Sequence, residues 1–175
     1  MCSVSLRRPG DGSGDGDLLS RWKPSFGLPS ITIQQPWAYC IVKGLKKYET
    51  RSWKTDHRGL LAIHVGSNAR AEYYPTAMRL GLDTTDKAGP FWNDRGKIVA
   101  IAELAEITQI TTPEELTYWL STDEANYGFY KMNAFVWRLD NVVILPKPVS
   151  TRGNMGIWNV DRSTRDTIGS LLGVS

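Results

Sequence analysis

Between Lys97 and Ile110 the chain alternates with a period of two: Ile98, Ala100, Ala102 and Leu104 share one parity, Val99, Ile101, Glu103 and Ala105 the other. That pattern predicts a long strand apolar on both faces. Glu103 is its exception, a carboxylate that wants Lys46 or Arg51 as partner or else a solvated edge. Leu60–Val65 is a near-continuous apolar run closed by Gly66 and predicts a buried strand. His64 lies on it at the parity of Ala62, as a satisfied core or edge imidazole or, alternatively, as part of a cleft. Ile31-Thr32-Ile33 predicts a short first strand. Asn133–Leu139 predicts another, with Phe135, Trp137 and Leu139 on one side; Asn141–Leu145 extends or hairpins from it, and Pro146-Lys147-Pro148 ends it. A last strand is expected over Gly156–Val160.

The helical signals are shorter. Pro36 suits a first helical position, Trp37, Ala38, Ile41 and Val42 then fall on one face, and Gly44 suits the left-handed residue past the end. Arg70–Leu80 carries Tyr73, Ala77 and Leu80 on one face and stops at Gly81. Thr112-Pro113-Glu114-Glu115 is a capping box that opens a helix running to about Leu120. Arg162–Leu172 is a closing helix. Asp83–Arg95 reads as a loop whose Phe91-Trp92 pair either packs as a flap or stacks on a base. Ser121–Tyr130 is irregular and holds Tyr127, Phe129 and Tyr130 beside Asp123 and Glu124. Five to six short strands with helices inserted between them do not alternate as βαβ units, so the expected fold is α+β, a small mixed β-barrel flanked by helices. Residues 1–28, rich in Gly and Asp, are expected to form a flexible tail, and residues 29–175 a single domain.

Composition narrows the chemistry. A net charge of +3 from 21 basic and 18 acidic residues is too mild to argue nucleic-acid binding by itself. The distribution says more: six Lys or Arg stand against two acids between Lys43 and Arg58. Two cysteines and two histidines make neither a disulfide framework nor a zinc cage, so no metal and no cofactor is expected, and Cys40 reads as a small buried hydrophobe. With no apolar run near 18 residues and no secretory signal, the expectation is a soluble, cytoplasmic protein with no membrane contact.

The stretch from Gln34 to Arg58 concentrates the functional signal. If Tyr48–Trp53 is a strand, Glu49, Arg51 and Trp53 share one face, with Lys46 at its mouth. Glu49 and Arg51 would hold each other while Lys46 stays available to an acidic or polar ligand, unless these are merely solvated surface charges.

Gln35-Pro36-Trp37-Ala38, Gly44-x-Lys46-x-x-Glu49-x-Arg51, Ser52-Trp53, Arg58-Gly59 and the later Gly153-Asn154-Met155-Gly156-Ile157-Trp158 together resemble the ASCH family, from about Pro29 to Asp161. The resemblance implies a PUA-like β-barrel flanked by helices, related to RNA-reading domains. It supports RNA or another single-stranded nucleic acid, or a modified nucleoside, as partner. Lys46, Lys47, Lys54 and Arg58 would then meet phosphates, Trp53 or Trp92 would stack, and Glu49 or Arg51 would read a base edge. Some members are similar in sequence but hydrolytic, acting on N4-acetylcytidine or on RNA. In that reading Lys46 is the base and Glu124, or alternatively Glu103, its acidic partner, with Tyr48 and Tyr127 as further candidates for ribonuclease chemistry. The amidohydrolase pattern has threonine three residues after the lysine, where this chain has Glu49, and Thr50 points to the opposite face. A protein partner seated in the groove is the third reading.

Overall fold

Alternating apolar residues do build a sheet, and its order fixes where the functional stretch ends up. The computed structural model describes residues 15–174. Six strands, β1 (Pro29–Ile33), β2 (Tyr48–Arg51), β3 (Gly59–Val65), β4 (Lys97–Gln109), β5 (Phe135–Ser150) and β6 (Ile157–Asn159), form one mixed sheet in the order β2-β5-β4-β3-β1-β6. Only the β1–β3 pair is parallel; the others are antiparallel. The sheet curls into a half-barrel flanked by six helices, α1 (Asp15–Ser20), α2 (Trp37–Val42), α3 (Tyr74–Arg79), α4 (Pro90–Asn93), α5 (Pro113–Ser121) and α6 (Arg162–Leu172), which is the α+β, barrel-like architecture the pattern predicts.

Two apolar clusters sandwich the central strands. Leu61, Ile63 and Val65 of β3 pack with Ala100, Ala102 and Leu104 of β4 and with Ala38 and Ile41 of α2. Ala62, Ile98 and Ile101 pack instead with Trp22, Leu28 and Ile168 of α6. Ile98 and Ala100 were expected on one parity, but a register shift between them sends them to different clusters. Each fully buried Ile or Leu here stabilises the fold by about 1.5–3 kcal/mol.

Several boundaries differ from expectation for identifiable reasons. The first 14 residues of the expected tail lie outside the described residues, but α1 begins at Asp15 and Leu18, Trp22 and Leu28 are buried, so the packed chain starts ahead of residue 29. Pro36 sits at the cap ahead of α2, after a cis Gln35–Pro36 bond, not inside the helix. A single turn of 3-10 helix, Ala71–Tyr73, precedes α3. β5 runs through Pro146-Lys147-Pro148 because the ladder to β4 is interrupted there: Val149 pairs with Ile98 and Ile144 with Ala100, so the prolines are spared a pairing they could not make. As expected, Gly44 is left-handed (φ 69°) and Thr112 and Glu115 close a capping box on α5. No helix of the described residues is long and apolar enough to cross a membrane.

Candidate nucleic-acid cleft

β2 lies at one end of the sheet order and β1 near the other, and Arg51 spans them. Its Nη2 donates to the Thr32 carbonyl of β1 at 2.9 Å and lies 3.1 Å from Oε1 of Glu49 on its own strand. Glu49 Oε2 is in turn 3.5 Å from Lys46 Nζ. A chain of three charges therefore runs from the interior to the open side of the half-barrel, with side-chain exposure of 0% at Lys46, 8% at Glu49 and 22% at Arg51. The expected pairing of Glu49 with Arg51 is present.

Lys46 differs from expectation. It is not at the mouth: its Nζ also donates to the Tyr48 carbonyl, and the Gly128 backbone closes over it so tightly that a Cβ there would lie 3.1 Å from Nζ. It serves as the internal counter-charge of Glu49 and cannot reach a phosphate.

Over this charged floor lies a cleft of about 340 Å³ lined by Trp37, Glu49, Thr50, Arg51, Ser52, Trp53, Phe129, Lys131 and Ala134. A neighbouring hollow of about 190 Å³ shares Trp37, Glu49, Arg51 and Phe129 and adds Thr32, Gln34 and Tyr73. The walls are aromatic. Trp37 stacks on Phe129 with centroids 5.6 Å apart and packs on Tyr73 at 5.1 Å, while Trp53 is held edge-to-face on buried Trp137 at 4.8 Å. Phe129 is 66% exposed despite its stack. Arg51 Nε is buried without a hydrogen-bond partner, as is Gln34 Oε1. Lys131 is exposed and has no carboxylate partner among the described residues.

The remaining sequence candidates disperse. Lys47 pairs with Asp140 of β5 at 3.1 Å. Lys54 and Arg58 are exposed on the loop after β2 but do not line the cleft, and Arg58 donates to the carbonyls of Thr55 and His57. Trp92 belongs to a separate cluster with Tyr39, Tyr74 and Phe91, donates Nε1–H to the Thr84 carbonyl and lies under Lys87, which is the packed-flap alternative and leaves no face for a base in the cleft. Glu124 accepts from the backbone N–H of Lys47 and Tyr48, satisfying donors at the start of β2. Glu103 accepts from Asn141 Nδ2, not from Lys46 or Arg51. Sequence reasoning did not assign Trp37, Tyr73, Phe129 and Lys131 to the site. The aromatic density of Tyr127–Tyr130 was the available signal; that it folds over a strand some 80 residues earlier was not in the pattern.

His64 is buried and joins the last loop to the sheet. Its Nε2 faces the Thr151 carbonyl and its Nδ1 the Thr32 hydroxyl, each at 3.2 Å; burial lowers its pKa. Thr32 Oγ1 also donates to the Asn154 carbonyl and accepts from Trp158 Nε1, so the Gly153–Trp158 motif is tied to the residue whose carbonyl holds Arg51. Burial pushes the Cys40 thiol up to about 11, which makes it an inert core residue.

Residues 31–141 match the ASCH domain family. Human and mouse activating signal cointegrator 1 are each 52% identical over 33 residues, which is 19% of this chain and 6% of those relatives, so the chain spans a small fraction of their length. Crystal structures of an ASCH protein from Zymomonas mobilis and of one of its variants share the fold, each with a TM-score of 0.51 and 13% identity. They cover 82% of this chain and 94% and 97% of theirs.

Proposed function

Because this chain belongs to the ASCH domain family, we propose that its aromatic cleft is a binding site for single-stranded nucleic acid, RNA in the first instance, taking one unstacked base over the Glu49–Arg51 floor. The observation that carries this reading is the exposed ring of Phe129, stacked on Trp37 beside a charge pair whose guanidinium keeps a buried Nε without a partner. Aromatic walls accept any base by its π-face, and a carboxylate next to a guanidinium offers both acceptor and donor to a base edge. Lys131 supplies a phosphate contact at the rim.

Binding of labelled single-stranded RNA, followed by fluorescence anisotropy across a salt series, tests it. Phe129→Ala removes an exposed ring, leaves the core intact and is expected to weaken binding by about tenfold or more, in line with about 1–3 kcal/mol per stacked base. Lys131→Ala is expected to reduce the salt slope by about one. Unchanged affinity in both variants contradicts the assignment.

A hydrolytic role draws no support from these positions. Lys46 is enclosed and Glu124 is committed to two backbone N–H groups. A protein partner, in keeping with the cointegrator name of the distant relatives, would show as capture that survives nuclease treatment.

A further inference from the structure

Phe129, stacked on Trp37, lines the main cleft and also a separate pocket of about 120 Å³ lined by Trp37, Thr76, Arg79, Leu80 and residues 125–129. The Trp37–Phe129 stack is thus common to two cavities, with α3 forming a wall of the second. Arg79 ends α3, is exposed, and spends one bond, Nη2 to the Asn126 carbonyl at 3.2 Å. It has no carboxylate partner among the described residues, so most of its donor fork points at no protein acceptor. Thr76 adds a hydroxyl one turn earlier.

Resting on the reading of the main cleft as a base site, we infer that this second pocket is a subsite for the sugar-phosphate of the adjoining nucleotide, with Arg79 as its phosphate ligand, so that the ligand is a strand of at least two nucleotides rather than a free nucleoside. The position of the pocket and the chemistry of its lining agree with this. The pocket shares Trp37 and Phe129 with the base site, so it lies within reach of the next unit of a strand bound there. The Leu80 and Trp37 surfaces suit the apolar face of a sugar, and a guanidinium without a carboxylate suits a phosphodiester, which it binds with two parallel hydrogen bonds.

The test compares uridine, uridylyl-(3′→5′)-uridine and pentameric oligouridine by isothermal titration, using the full chain and three variants. The wild type is expected to bind the dinucleotide about tenfold or more tighter than the nucleoside. Arg79→Gln, which retains a donor for the Asn126 carbonyl, is expected to remove that gain and leave nucleoside affinity unchanged; Arg79→Lys is expected to retain part of it. Phe129→Ala is expected to weaken all three ligands. If Arg79→Gln binds the dinucleotide as tightly as the wild type while Phe129→Ala weakens it, the subsite is overturned and the base site stands. If the wild type binds none of the three, both are overturned.

Discussion

Lys46 shows how far a residue's neighbours, and not its spacing, decide its job. The interval from Gly44 to Arg51 places Glu49 and Arg51 on one face, and that much was legible. The cover over Lys46 comes from Gly128 in a segment far downstream, so its enclosure had no local signature. Its charge is compensated by Glu49, and removing one partner of a buried pair leaves the other stranded. Glu49→Ala is therefore expected to cost about 3–5 kcal/mol, read as a drop in the urea midpoint at constant slope; a loss below about 1 kcal/mol would show that the pair is not energetically buried. Gly153 is constrained differently. A Cβ there would sit 2.3 Å from His64 Cε1 and 2.9 Å from Thr32 Oγ1, so Gly153→Ala is expected to displace the imidazole and loosen the loop from β1. Heteronuclear spectra would report that as shifts at Thr32 and Asn154, and an unperturbed spectrum would contradict it.

At the scale of elements, local chemistry was read well where it is self-contained. The Thr112 capping box and the bounds of α6 follow from side chains within a few residues of each other. Two prolines normally end a ladder, and β5 runs past that expected end because its pairing with β4 skips them. α6 offers a direct check. Asp161 caps it, accepting from Thr164 Oγ1 at 2.6 Å, from Ser163 Oγ at 2.7 Å and from the Thr164 N–H at 3.0 Å, and these bonds hold its carboxyl well below the usual range. A depressed folded-state pKa contributes stability that is present above the unfolded value near 3.8 and is lost as pH falls through the folded one. Asp161→Ala is expected to cost about 1 kcal/mol at neutral pH, and the difference from wild type should shrink as the medium is acidified below pH 3.8. A difference independent of pH would contradict the cap's electrostatic part.

For the molecule as a whole, the α+β class, the strand count and the long β4 were visible in the alternation of apolar residues. What was not visible is the meeting of β2, β1 and the 127–131 segment, because contacts between elements distant in sequence leave no periodic trace. That meeting makes the cleft, and His64 secures one side of it. Its pKa is lowered by burial, so the unfolded chain takes up a proton first as pH falls below 6.5, and stability declines with acid in that window. Urea titrations between pH 7 and 5 should show a falling midpoint that His64→Gln largely flattens; an unaltered pH slope in that variant would place the titration elsewhere. The central claim, that the ligand enters between Trp37, Phe129 and Trp53, is tested most directly by following the seven tryptophan indole N–H resonances of ¹⁵N-labelled protein during titration with single-stranded RNA. Trp37 and Trp53 are expected to shift while Trp22 and Trp92 stay in place, whereas movement of Trp92 with Trp37 and Trp53 unmoved would contradict the account.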